Sequence, residues 1–316
     1  MEFRNLGRSG LQVSIVGLGC NNFGMRIDEA QTKVVVDKAL EAGITLFDTA
    51  NLYGGTRSEE FLGAALGDRR KDVVLATKFA GPMPGAAPFN KGGSRKHMFQ
   101  MLEDSLRRLN TDYIDLYQVH FPDETTPLEE TMRALDDLVR DGKVRYIGCS
   151  NYAAWQVVES QWIAKTNHFV PFVSAQNEYS LLRRDIEKEL IPACKEHGLG
   201  ILPYFPLASG FLTGKYKRGE KPPEDSRIAA WGPRGERLLS DHNFDILEGL
   251  ETFCKARDKT VLELAFSWLT SNPAVTSVIA GATKAEQIEQ NVAAAGWQLT
   301  NEEMSEVDQI SKGRKD

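Results

Sequence analysis

Eight short apolar runs, each followed by a longer stretch with helical spacing, constrain this chain more than any other feature. The runs are Ser14–Leu18, Thr45–Phe47, Val73–Thr77, Ile114–Val119, Val144–Cys149, Phe172–Ala175, Gly200–Pro203 and Ser277–Ala280. Runs this short and this continuously apolar suit strands buried on both faces, as in a parallel sheet. Between them, 29–42 carries Val34, Val35, Ala39 and Leu40, and 95–109 carries Met98, Leu102, Leu106 and Leu109, at the spacings of a helix with one buried face. Thr56-Arg57-Ser58-Glu59 has the form of a capping box, opening a helix that runs through Leu66. Gly43, Gly67, Asn110, Gly142 and Gly198 fall where helices end. Strand–helix alternation means βαβ units. Eight of them predict a closed (β/α)₈ barrel in the α/β class.

Polar residues decide between that barrel and an open sheet. Asp48, Lys78, His120, Ser150-Asn151, Gln176-Asn177, Tyr204 and Gly281 each come at or just beyond the C-terminal end of a different run. A barrel collects its reactive groups on that rim, whereas an open doubly wound sheet gathers them at one switch point. Leu6–Val13, with Gly7 and Gly10, predicts a β-hairpin ahead of the barrel, and 300–310 a final helix. Residues 207–241 form a long stretch rich in Gly and Pro, of a length usually tied to function. Residues 81–93 read as an exposed loop bordering the pocket. The 316 residues are expected to form a single barrel domain, 1–316.

Bulk properties exclude several function classes. With 41% hydrophobic and 26% charged residues and a formal net charge of -6, nothing suggests a nucleic-acid surface. No run approaches the ~18 apolar residues of a membrane span, and the first residues do not read as a signal peptide. Cys20, Cys149, Cys194 and Cys254 are widely spaced, so neither a disulfide frame nor a metal site is expected. Reduced thiols point to the cytoplasm.

Asp48, Tyr53, Lys78 and His120 carry the chemistry. Each alone has a structural explanation: a packing tyrosine, an ion pair at a strand end, a core histidine. Together on one rim they form a proton-delivery set. A cation beside a tyrosine stabilises the phenolate left after proton donation, a carboxylate offsets the cation, and an imidazole can orient a carbonyl oxygen. These groups cannot supply a hydride, which calls for a nicotinamide. Gly17-Leu18-Gly19 is followed by Gly24, so the Rossmann spacing fails; Gly210 to Lys215 is one residue short of a phosphate loop and continues with Tyr216. Gly281-Ala282-Thr283-Lys284 ahead of a helix offers backbone donors and a cation for phosphates instead. Phe23, Phe79, Phe121 and Trp231 are expected to line an apolar substrate pocket.

The motifs Gly43–Ala50 with Tyr53-Gly54, Thr77-Lys78, Asp112–His120, Gly148–Asn151, Gln176-Asn177, Tyr204–Lys215 and Ile279–Thr283 with Asn291 resemble the aldo-keto reductase family over nearly the whole chain. The resemblance implies a (β/α)₈ barrel, NADPH-dependent reduction of aldehydes or ketones, and a small-molecule carbonyl substrate as the partner. It maps the catalytic tetrad onto Asp48, Tyr53, Lys78 and His120. It implies that Ser150, Asn151 and Gln176 hold the carboxamide, that Tyr204 stacks on the nicotinamide, and that Phe205, Pro206, Leu207, Ser209, Gly210 and Lys215 form the pyrophosphate loop. Cys20, Asn21, Asp48, Arg227, Gly281, Ala282, Thr283, Lys284, Gln287, Gln290 and Asn291 complete the implied cofactor set. Gly281-Ala282 and Gln287 replace the Lys-Ser and Arg that mammalian-type members use for the 2′-phosphate. The chain resembles instead the bacterial branch related to potassium channel β subunits, where a basic residue near Lys284 takes that role. That branch also implies a second reading, an NADPH-binding redox-sensing subunit with slow turnover. A barrel lyase using Lys78 as a Schiff base is a weaker third.

Overall fold

A computed structural model describes residues 1–81, 92–224 and 226–312. Two short antiparallel strands open the chain, β1 (Phe3–Asn5) and β2 (Gln12–Ser14), with Phe3 opposite Ser14. The hairpin is present: β1 precedes Leu6–Val13, the turn lies within it, and β2 begins at Gln12 inside it. The eight parallel strands follow: β3 (Val16–Gly19), β4 (Leu46–Asp48), β5 (Val74–Phe79), β6 (Ile114–Val119), β7 (Val144–Ser150), β8 (Ser174–Gln176), β9 (Gly200–Ile201) and β10 (Val278–Gly281). The 8-stranded sheet runs β10-β3-β4-β5-β6-β7-β8-β9, and every expected apolar run contributes a strand.

The two ends of the sheet meet. Ile201 pairs with Val275 and Tyr204 with Ile279, both in parallel. The Ile201 and Thr276 amides donate to Ala274 O and Ile201 O at 2.8 and 2.9 Å, and the Ile279 amide donates to Pro203 O at 3.0 Å. These bonds close the barrel, which satisfies edge groups that an open sheet would leave bare.

Alternation along the strands divides the core in two. Leu46, Val74, Ala76, Leu116, Leu202 and Ile279 form one buried cluster with Leu6 and Val13 of the hairpin. Their chain neighbours Phe47, Leu75, Tyr117, Ile201, Val278 and Ala280 belong to a separate, larger cluster. Successive side chains on a strand point to opposite faces. The first cluster is therefore the barrel interior, plugged by the hairpin, and the second lies between the strands and the outer helices.

Those helices are α1 (Glu29–Glu41), α2 (Arg57–Leu66), α3 (Arg95–Leu109), α4 (Leu128–Arg140), α5 (Ala154–Asn167) and α6 (Leu190–His197). After β9 come the short turns α7 (Arg227–Ala230) and α8 (Pro233–Glu236), then α9 (Asp241–Lys255) and α10 (Val261–Ser271). After β10, α11 (Ala285–Ala294) precedes a final α12 (Asn301–Ser311) capped by Thr300. Asn110 ends α3 in the left-handed conformation at φ 49°, as its position suggested.

The expected capping box at Thr56 does not form. Gly54, Gly55 and Thr56 all adopt positive φ, 60°, 66° and 84°, so Thr56 cannot take the extended conformation an N-cap needs. Glu59 turns inward instead. It is buried, accepts from Thr77 Oγ1 at 2.6 Å and pairs with Arg108 at 2.6 Å. The turn that defeats the cap is the one that carries Tyr53. Most of the expected 81–93 loop lies outside the described residues.

Candidate active site

Asp48 ends β4 and Lys78 lies one residue before the end of β5. Strand parity aims both into the barrel, in line with Leu46 and with Val74 and Ala76. Lys78 is fully buried, and its Nζ donates to Asp48 Oδ2 at 2.6 Å and to Thr49 O at 2.9 Å. A buried ammonium is tolerated only when so partnered. Burial alone would push its pKa down; the carboxylate of Asp48, and then Tyr53, more than offset this and hold it above the ordinary value.

Asp48 is held by more than lysine. Its Oδ1 accepts from Gln176 Nε2 at 2.9 Å and from Gln118 Nε2 at 3.1 Å. Gln118 was absent from the sequence expectations. It sits on β6 beside Lys78 in register, two residues before His120, and its Oε1 accepts from Gln176 Nε2 at 3.3 Å. A polar residue of the same strand parity as His120 was the available signal.

Tyr53 lies over this pair. Lys78 Nζ is 5.1 Å from the centroid of its ring, and the His120 ring meets it edge-on with centroids 5.7 Å apart. Burial pushes the Tyr53 hydroxyl above its usual pKa, and the charge of Lys78 opposes that shift. Burial and then Lys78 push His120 down to about 2. His120 is thus a neutral imidazole near pH 7. Its Nδ1 is buried and has no hydrogen-bond partner among the described residues. A proton on Nε2 avoids leaving a buried N–H unpaired at Nδ1. Phe121 stacks on His120 at 4.5 Å. The arrangement can donate one proton and one orienting hydrogen bond to a single oxygen.

A cavity of about 1030 Å³ opens over these residues. That is the upper end of the ~300–1,000 Å³ common for small-molecule sites, enough for a dinucleotide and a small second molecule. Asn21, Asp48, Tyr53, His120, Phe121, Ser150, Asn151 and Gln176 line it at the barrel mouth. Tyr204, Phe205, Pro206, Leu207, Ser209, Gly210, Lys215 and Arg227 line it from the segment after β9. Gly281, Thr283, Lys284, Gln287, Gln290 and Asn291 line it from β10 and α11. Asn151, at φ 60°, accepts from the Tyr204 hydroxyl at 2.7 Å and donates to His120 O at 2.9 Å. That links the expected stacking ring to the strand end carrying the imidazole. Asn22, Arg26, Leu52, Thr213, Thr260 and Glu263 also line the cavity and were not expected. They belong to loops and helix starts, where no strand period marks a residue's direction.

Other expected residues lie elsewhere. Phe79 follows the inward Lys78, so parity turns it outward, where it is fully buried and stacks on Tyr117 at 4.8 Å. Cys20 follows Gly19 and is likewise buried, with its thiol directed to Leu18 O at 3.6 Å. Phe23 is fully buried in the outer core. Ala282 is buried, and its carbonyl accepts from Asn22 Nδ2 at 3.2 Å. Trp231 packs one layer out, its ring 5.6 Å from that of Phe205. None of these five lines the cavity.

The site suits a phosphate-bearing cofactor. Lys215 lies beside Gly210, close enough that a Cβ there would meet Nζ at 3.4 Å, and Lys284 stands at the N-cap of α11. The remaining N-terminal amides of α11 add backbone donors. Gln287 is engaged locally, accepting from the Thr283 amide at 2.8 Å. Among the described residues no His, Cys, Asp and Glu gather as a metal site, and no helix is long and apolar enough to cross a membrane. All four cysteines are free and buried.

Residues 15–312 match the aldo/keto reductase family. The chain is 40% identical over 302 residues to a rice protein named "Probable voltage-gated potassium channel subunit beta", covering 93% of this chain and 91% of that one. It is 38% identical over 323 residues to the uncharacterized oxidoreductase YrpG of Bacillus subtilis, covering 99% and 97%. It is 34% identical over 323 residues to the L-glyceraldehyde 3-phosphate reductase of Escherichia coli K12, covering 98% and 92%.

Proposed function

The chain belongs to the aldo/keto reductase family, an oxidoreductase family that generally uses NAD(P)H, and from that premise we propose that it reduces aldehydes or ketones to alcohols with NADPH, with Tyr53 as the proton donor. The observation that carries this reading is the buried Lys78–Asp48 pair with Lys78 Nζ 5.1 Å from the Tyr53 ring centroid, and neutral His120 edge-on to the same ring.

A nicotinamide cofactor held in the cavity would supply the hydride that carbonyl reduction needs. The chain's own residues do the rest. Tyr53 and His120 bracket the carbonyl oxygen. His120, neutral, donates a hydrogen bond that orients it. Tyr53 gives up its proton as charge develops on that oxygen, and Lys78 stabilises the phenolate that remains. Asp48 keeps Lys78 in place and charged. Ser150, Asn151 and Gln176 are assigned to the carboxamide end, Tyr204 to the ring, Phe205–Gly210 with Lys215 to the pyrophosphate, and Lys284 to the 2′-phosphate. Phe121 and Leu52 form the apolar wall beside the oxygen.

Loss of absorbance at 340 nm with NADPH and a panel of aldehydes, against Tyr53→Phe as control, tests the reading. NADPH oxidation that persists in Tyr53→Phe removes Tyr53 from the mechanism. The similarity to proteins named as potassium channel β subunits favours a second reading, a redox-sensing subunit that binds NADPH tightly and turns over slowly. Tight NADPH binding without turnover on any aldehyde would support that one.

A further inference from the structure

α5 is apolar on two opposite faces. Val157, Ser160, Gln161 and Ala164 turn inward and are buried against the barrel. At about 100° per residue, Trp155, Glu159, Trp162 and Thr166 point the other way, and all four are exposed. Trp155 is 65% exposed and Trp162 54%. A surface helix normally carries a single apolar stripe, turned to the core, and exposed tryptophan is concentrated in protein–protein interfaces. The helices packed on either side differ from α5. α4 turns out Glu129, Glu130, Arg133 and Arg140, and α6 turns out Lys195 and Glu196. Two indole rings, ~10 Å apart along the axis, thus form an apolar centre with a charged rim, which is the layout of an interface hot spot.

The charges on this face select its occupant. Glu159 and Lys165 are six residues apart, a spacing that puts them on different sides of the helix, so they cannot pair with each other within it. Lys165 Nζ lies 4.8 Å from the centroid of the Trp162 ring, and Glu159 has no ion-pair partner among the described residues. Trp162 stands midway between them. A two-fold axis through Trp162 reverses the helix and brings residue 159 of each copy to residue 165 of the other. We propose that α5 docks antiparallel on α5 of a second copy of this chain, about a two-fold axis at Trp162, with Glu159 of each copy paired to Lys165 of the other. The same operation sets Trp155 toward Phe169, which is half-buried just past the end of the helix. It also lays opposite ends of the two helix dipoles together. Such a contact is isologous and closes at two copies. α5 has 14 residues and is ~21 Å long, so the interface is at the small end of the usual range and the dimer is reversible. A lipid surface suits this face less well, because Glu159 lies on the stripe and the chain carries a net charge of -6.

Sedimentation velocity of the whole chain over a wide range of concentrations tests this, with circular dichroism and NADPH binding as controls for folding. The wild type is expected to shift from monomer to dimer as concentration rises. Trp162→Asp puts two like charges at the axis and is expected to raise the dimer Kd by ~30-fold or more, equivalent to about 2 kcal/mol, with both controls unchanged. Glu159→Lys is expected to weaken the dimer, and adding Lys165→Glu to restore it, an exchange that a structural role for either residue would not produce. Trp162→Cys is expected to give a covalent dimer on mild oxidation, since the four native thiols are buried, whereas Trp155→Cys is not. A monomer at every concentration overturns the proposal, and a monomer that floats with phosphatidylcholine vesicles assigns the two tryptophans to a membrane surface instead. An assembly that Trp162→Asp leaves intact overturns it too, as does a failure of Lys165→Glu to rescue Glu159→Lys.

Discussion

Gln118 donates to Asp48 through Nε2 at 3.1 Å, on the carboxylate oxygen that Lys78 does not use. Asp48 thus has Lys78 on Oδ2 and two amide groups, from Gln118 and Gln176, on Oδ1. The carboxylate is fixed from both sides, and Lys78 inherits that position. Gln118→Leu keeps the volume but strips one donor from Asp48 and one acceptor from Gln176. Its expected cost is about 1–3 kcal/mol, the penalty for buried polar groups left short of partners. Turnover is expected to fall while NADPH affinity holds. Urea unfolding and kcat measured side by side check this; wild-type stability in the variant would show that Asp48 does not need the amide.

Tyr53→Phe removes a hydroxyl and leaves the ring that faces Lys78 and His120. Losing a positioned general acid commonly costs ~10²–10⁴ in rate. The expected outcome is a fall in kcat of at least ~10², with NADPH binding, followed by fluorescence quenching, nearly unchanged. A comparable loss of cofactor affinity would mean that the hydroxyl serves binding rather than proton transfer.

Strands were legible in this sequence because parallel strands buried on both faces read as unbroken apolar runs, and the tetrad because charged groups at the ends of such runs have few structural explanations. Facing direction was less legible. Phe79 was expected in the pocket although the inward Lys78, one residue earlier, already turns it outward. The same reasoning applied to His120 would have found Gln118. Thr56-Arg57-Ser58-Glu59 matched a capping pattern, but the left-handed turn through Gly54 and Gly55 overrode it and freed Glu59 for the interior. Arg26 and Asn22 had no periodic signal, because loop conformation alone brings them to the cavity.

His120 provides a pH test with a definite sign. Its pKa falls from 6.5 to about 2 in the folded protein. Between those values the unfolded chain binds a proton that the native protein excludes. Stability therefore rises with pH across this window and is lost as pH falls below about 6.5. One such proton contributes a slope of at most ~1.4 kcal/mol per pH unit. His120→Phe is expected to flatten the curve between roughly pH 4 and 6 by up to that amount, in urea unfolding at a series of pH values. In the wild type, a kcat limb centred near pH 6.5 would contradict a neutral His120.

Glu59 joins α2, directly after the Tyr53 turn, to Thr77 on the strand of Lys78 and to Arg108 on α3. Burial pushes its carboxyl upward, opposed first by Arg108. Glu59→Gln preserves shape but leaves Arg108, itself largely covered, without its counter-charge. Removing one partner of a buried pair costs about 3–5 kcal/mol. A drop of that order in unfolding free energy is expected, together with slower turnover, because α2 sets the approach of Tyr53 to Lys78. Normal stability in Glu59→Gln would mean that Arg108 finds water or another acceptor.

Cofactor choice is the remaining issue, and Lys284 is where it can be tested. The residue is exposed at the N-cap of α11, lines the cavity, and makes no side-chain capping bond that would occupy it. Gln287, one turn on, is held by the Thr283 amide and carries no charge. A 2′-phosphate is the feature that distinguishes NADPH from NADH, so a cation serving it should matter for one cofactor only. Lys284→Met is expected to raise the Kd for NADPH by ~10-fold, equivalent to about 1.4 kcal/mol, and to leave NADH nearly unaffected. The NADPH effect should diminish at high salt, since an exposed ion pair is screened. Equal weakening of both cofactors would place Lys284 on the pyrophosphate instead, and no weakening of either would leave recognition of the 2′-phosphate to the backbone of the α11 N-terminus.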